Sequence, residues 1–79
     1  MGKLSRYWVD RRTTCVAVID SYGANGCNYE LTIESPGVVK LWEEKQDSSG
    51  NWYVSWDDEL AANKLCNELN LKHGDIYGN

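Results

Sequence analysis

The eight residues 13–20, TTCVAVID, restrict the fold more than any other stretch of this 79-residue chain. They are rich in β-branched side chains, and Cys15, Ala17 and Ile19 alternate with Val16 and Val18, so the segment is apolar on both faces. A strand of that kind has to be covered on both sides. It is expected to be central, with RYWVD (6–10) either extending it or forming a separate edge strand. A chain this short makes one domain and buries only about 60–65% of the surface its unfolded form exposes, so little material is available for the covering.

The remaining elements follow from turn chemistry and periodicity. NYELTIE (28–34) alternates Tyr29, Leu31 and Ile33 with Asn28, Glu30, Thr32 and Glu34, which predicts a strand with one dry and one wet face. Before it, SYGANGCN offers a turn at Asn25-Gly26; after it, SPGV turns with Pro36 fixing φ and Gly37 in the left-handed position. VVKLWEEK (38–45) and NWYVSW (51–56) are two further strands. Between them DSSGN predicts a type I turn with Gly50 left-handed, a register that pairs Asp47 with Asn51. Counting back, Gln46 faces Trp52, Glu44 faces Val54 and Trp42 faces Trp56. One hairpin face then carries Trp42, Trp52, Val54 and Trp56; the other carries Val39, Leu41, Glu43, Lys45, Tyr53 and Ser55.

A single helix is expected over 57–72, capped by Asp57 or Asp58, with Ala62, Leu65, Cys66 and Leu69 as its buried stripe and Leu60 and Ala61 at the margin. Lys72 and His73 suit its last turn and Gly74 its end; DIYGN is a short tail. The fold class is therefore α+β: one domain over 1–79, an antiparallel sheet of four to five strands packed by one C-terminal helix. One helix covers one face of such a sheet. The opposite face is expected to be partly apolar and rimmed by acids, as interaction surfaces are.

Composition bears on what that surface could meet. The chain has no Phe, four Trp and five Tyr, so its bulky side chains all carry a polar atom that needs a partner or water. Residues 1–14 hold Lys3, Arg6, Arg11 and Arg12 against Asp10, a net of +3. Residues 15–79 hold four lysines against eleven acids, a net of −7. Such a protein is repelled by polyanions and drawn to basic partners, with a local exception at its start. No apolar run approaches a membrane span, and MGKLSRYW has no signal-peptide core and misses the myristoylation pattern by one position at Ser5. There is no Asn-x-Ser/Thr sequon, and three widely spaced cysteines do not make a secreted disulfide scaffold. A cytoplasmic location with free thiols is expected.

Catalytic and metal chemistry find little support. Cys15, Cys27, Cys66 and His73 have no C-x₂₋₄-C spacing, so neither a zinc site nor any cofactor is expected. His73 is the only histidine and sits at a helix end; no nucleophile elbow, phosphate loop or metalloprotease motif occurs. The protein is read as a non-enzyme. Arg6, Arg11 and Arg12 with Tyr7 and Trp8 resemble a small nucleic-acid footprint. Four cations are few against the −7 remainder, so direct nucleic-acid binding is disfavoured and pairing with the acidic half is more economical. The acids carry the stronger signal. Glu43, Glu44, Asp47, Tyr53, Asp57, Asp58 and Glu59 are the candidate partner-binding residues, and a rigid carboxylate-studded frame can occupy a cationic groove.

In size, charge and element order, a tiny acidic α+β chain with a tryptophan-bearing hairpin followed by WDDELAANKLCNELN resembles small phage-encoded proteins, anti-CRISPR proteins among them. The resemblance implies a stoichiometric inhibitor that binds a host defence complex and blocks its nucleic-acid or subunit contacts. The expected partner is a basic surface of another protein or ribonucleoprotein complex. Alternatives are a nucleic-acid-binding module using the arginines, or a structural subunit of a larger assembly.

Overall fold

A computed structural model describes residues 5–24 and 30–73. The protein is α+β; the described residues form five strands and one C-terminal helix. The strands divide into two sheets rather than one. Strands β1 (Tyr7–Arg11), β2 (Cys15–Asp20) and β3 (Val38–Glu43) form an antiparallel sheet in that order, and β4 (Lys45–Gln46) pairs with β5 (Trp52–Tyr53) as a separate hairpin. Helix α1 spans Trp56–His73.

β2 is the central strand its composition requires, buried from Cys15 to Ile19. Cross-strand partners share a face. Val9 lies opposite Val18, and Val16 opposite Trp42; with Tyr7 they make the face that α1 covers. Ala62 and Cys66 of the helix complete that core, with Leu65, Leu69 and Val54 packed at its edge. Val16, Val18 and Ala62 are fully closed to water. Each of the two valines contributes about 2 kcal/mol of transfer free energy. The helix also binds the sheet edge. The Asn70 amide accepts from the Tyr7 N–H (3.0 Å) and donates to the Tyr7 carbonyl (3.1 Å), standing in for a missing strand.

Ala17 lies opposite Asp10 and Leu41, Ile19 opposite Trp8, and Cys15 opposite Glu43, so this second face points away from the helix. Its centre is nevertheless dry: Cys15, Ala17 and Ile19 are all buried. Its margins open, at Trp8, 42% exposed, and at Glu43. The face expected to be partly apolar and rimmed by acids is thus closed at its centre and open at its rim. The chain joining β2 to β3 leaves and returns through a close crossing. Asp20 N–H donates to the Gly37 carbonyl at 2.7 Å, and a Cβ on Gly37 would stand 2.8 Å from the Ala24 nitrogen. Gly37 has φ 85°, the left-handed conformation expected of it.

The strand expected over 28–34 is not formed in its described part. Residues 30–34 make an irregular segment and a turn, because the Thr32 and Ser35 hydroxyls satisfy local backbone groups instead of a neighbouring strand. The Asn25-Gly26 turn, Cys27, Asn28, Tyr29, Gly74 and the tail lie outside the described residues. The hairpin register holds at Gln46–Trp52 and Lys45–Tyr53. Beyond that the pairing stops, so Glu44–Val54 and Trp42–Trp56 do not form. Trp56 starts the helix instead, and the cap is Ser55 rather than Asp57 or Asp58: its Oγ accepts from the Asp57 N–H at 3.2 Å. The anticipated four-residue hairpin face is divided accordingly. Trp42 and Val54 enter the core, while Trp52 and Trp56 are 62% and 69% exposed.

Candidate partner-binding surface

An open groove of about 390 Å³ crosses the end of the second face. Its lining comes from four places in the chain: Arg12, Thr14 and Cys15 around the start of β2; Leu41, Glu43 and Glu44 at the end of β3; Glu30, Leu31 and Thr32 from the connecting segment; and Trp52 from β5. The local fold explains why these converge. β3 ends at Glu43, and the Glu44 N–H makes one last bond to the Thr14 carbonyl (3.1 Å). The chain then turns off into the hairpin, which brings Trp52 back to the groove wall.

The hairpin is held by its own turn. Asp47 Oδ1 accepts from the N–H groups of Ser49 and Asn51, both at 2.9 Å, and Gly50 takes φ 89°. Gln46 Nε2 donates to the Gly50 carbonyl at 2.9 Å, and Lys45 Nζ reaches Asp58 at 3.2 Å, tying the hairpin to the helix start. Trp52 therefore stands on a fixed support while most of its surface faces water.

Glu30, Glu43 and Glu44 give the groove its charge. Arg12 is its one cationic lining residue among those described, and it is held to Asp10 through Nε–Oδ1 (3.1 Å) and Nη2–Oδ2 (3.0 Å). Burial pushes the Cys15 thiol up, so it stays neutral and contributes apolar surface rather than a nucleophile. Cys66, likewise raised by burial, belongs to the helix core on the opposite side of the sheet. Among the described residues no cluster of His, Cys, Asp and Glu is arranged to hold a metal ion.

The seven candidate partner-binding residues are not gathered in one place. Glu43 and Glu44 line the groove. Asp47 is occupied by its own turn, and Tyr53 is 45% exposed on the hairpin. Asp57, Asp58 and Glu59 occupy the first turn of α1, at the positive end of its dipole. Asp58 is paired with Lys45 and Glu59 with Arg11 (3.4 Å), while Asp57 is exposed. The arginines are all engaged within the chain. Arg6 Nε meets Asp20 at 2.9 Å while its Cζ lies 4.1 Å from the Tyr22 ring centroid, Arg11 pairs with Glu59, and Arg12 with Asp10.

Beyond Glu43 and Glu44, the groove takes in Thr14, Cys15, Glu30, Leu31, Thr32, Leu41 and Trp52, none of them among the seven candidates. The alternation around Glu30 placed it on a strand face, and the hairpin register placed Trp52 beside the core tryptophan. The long gap between β2 and β3 was the usable signal, since part of that connection, residues 30–32, comes to lie beside Cys15 and Leu41. No helix among the described residues is long and apolar enough to cross a membrane. No protein-family model matches the chain, and no curated protein or solved structure is detectably similar to it.

Proposed function

We propose that this protein is a non-catalytic protein-binding module that docks an acidic, aromatic-bearing surface on a basic site of another protein or ribonucleoprotein complex. A phage or mobile-element inhibitor acting on a host defence or nucleic-acid-processing complex, in the host cytoplasm, would need such a surface. The observation that carries the reading is Trp52, 62% exposed on a braced hairpin beside a groove lined by Glu30, Glu43 and Glu44. Exposed tryptophan on a rigid support supplies contact energy at small entropic cost, and the carboxylates steer association with a cationic surface. The three arginine–carboxylate pairs weigh against a nucleic-acid module, because each guanidinium already has an anion.

The test is charge reversal with the fold monitored. Glu43→Lys, Glu44→Lys and Asp57→Lys together should sharply weaken capture of the partner from host lysate, with the circular dichroism spectrum kept. Loss of the Asp57 charge at the helix start costs only about 0.3–1 kcal/mol, so folding survives. Capture of every partner unchanged by the triple reversal would refute the reading. A salt-sensitive gel shift on RNA or DNA, lost in Arg11→Glu/Arg12→Glu, would replace it with the nucleic-acid alternative.

A further inference from the structure

We infer that the groove receives an arginine or lysine side chain from a basic segment of the partner protein, laid against the Trp52 ring with its charge held by Glu43 and Glu44. This rests on the protein-docking reading and names what the docked partner must present.

Three features of the groove select that occupant. Its apolar surface, from Leu31, Leu41, Cys15 and the Trp52 ring, suits the methylene stem of a long basic side chain, while the glutamates suit its head. Its carboxylates outnumber its cations three to one among the described lining residues, and the single cation, Arg12, is bound to Asp10. Its volume of about 390 Å³ lies near the bottom of the range for ligand clefts, roughly 300–1,000 Å³, which fits one or two side chains rather than a folded element.

The same pairing of cation and ring already occurs three times among the described residues, once as Arg6 over Tyr7 at 5.1 Å. Arg6 stacks over Tyr22 at 4.1 Å and Lys40 over Trp42 at 5.2 Å from the centroid. No cation–ring pair among the described residues involves Trp52, whose indole is the more exposed of the two tryptophans. A second copy of this chain is a poorer occupant, since each copy carries a net charge of −4 and its arginines are committed to internal carboxylates.

The assignment is tested by titrating the intact ¹⁵N-labelled protein with a blocked tetra-arginine peptide, using blocked tetra-citrulline as the uncharged isostere. The Trp52 indole N–H signal, identified by its absence in Trp52→Phe, should move saturably together with the Glu43 and Glu44 amides. Citrulline should bind about tenfold more weakly or not at all. Glu43→Gln/Glu44→Gln should weaken the arginine peptide about tenfold while leaving the other indole signals in place. Saturable shifts confined to Asp57–Glu59 would overturn the groove assignment yet leave acidic docking intact. A Trp52 indole that does not move, or that moves equally with citrulline, overturns it too. The docking reading is judged separately, by the charge-reversal capture.

Discussion

The two faces of the three-stranded sheet exclude water by different means. On the helix face, Val16, Val18, Tyr7 and Trp42 meet Ala62, Cys66 and Leu65 in a continuous side-chain core. On the second face, Cys15, Ala17 and Ile19 are equally dry, yet no helix lies there. Beyond β2 on that side the chain makes a close backbone crossing between Asp20, Ala24 and Gly37, and the face ends in an open groove. The difference shows how a short chain economises. One helix serves one face; on the other, residues 30–32 of the β2–β3 connection come to rest beside Cys15 and Leu41 at the groove. The uncovered end is where tryptophan and carboxylates are left together.

If that contrast is right, the crossing should be more sensitive than an equally left-handed turn in the open. Gly37→Ala places a Cβ 2.8–2.9 Å from backbone atoms of Ala24 and Asp20 at φ 85°, and should cost about 3 kcal/mol in urea unfolding. Gly50→Ala has φ 89° but meets only the flexible Gln46 amide at 3.6 Å, and should cost about 1 kcal/mol. Equal costs would erase the distinction. On the helix face, Val18→Ala should lose about 2 kcal/mol through the cavity it leaves in a fully closed site, read by the same unfolding curve.

Asn70→Ala removes both bonds to the Tyr7 backbone and should cost about 1–2 kcal/mol, with the Tyr7 amide becoming the fastest exchanger of β1. A smaller effect belongs to pH. The Arg6 guanidinium, and secondarily the Tyr22 N–H, hold the Asp20 carboxyl below the ordinary range. Because the folded value is depressed, this stabilisation is present above the unfolded value near about pH 4 and is lost as pH falls through the folded one. Asp20→Asn should therefore flatten the stability profile below about pH 4, with little change in its shape near neutrality. Smallest of all, Trp52→Ser should alter stability by no more than about 0.5 kcal/mol, since its ring is mostly in water.

Much of this architecture was legible where local chemistry decides it. The two-sided apolar pattern of residues 15–19 marked the central strand, DSSGN fixed the hairpin register through Lys45–Tyr53, and the spacing of Ala62, Leu65, Cys66 and Leu69 marked the helix and its buried stripe. What misled was alternation without a partner. Residues 30–34 alternate as a strand does, but the Thr32 and Ser35 hydroxyls capture the local backbone. Ser55 capping turned Trp56 into the first helical residue and ended a pairing that β-propensity alone would have continued. The groove was illegible for the same reason: it depends on where an irregular segment comes to rest over the bare face, and period carries no information about that. Glu43 and Glu44 stand out by charge; their neighbour Trp52 does not, because the hairpin register expected for it places it on the face of Trp42.

Hydroxyl-radical footprinting of the intact protein, resolved by residue with mass spectrometry, addresses the contrast between the faces most directly. Oxidation of Trp52 should proceed close to the rate of the exposed Trp56 and many-fold faster than that of Trp42, which packs against the helix core. Protection of Trp52 equal to that of Trp42 would mean the chain closes its own groove, and would contradict a surface left free for a partner.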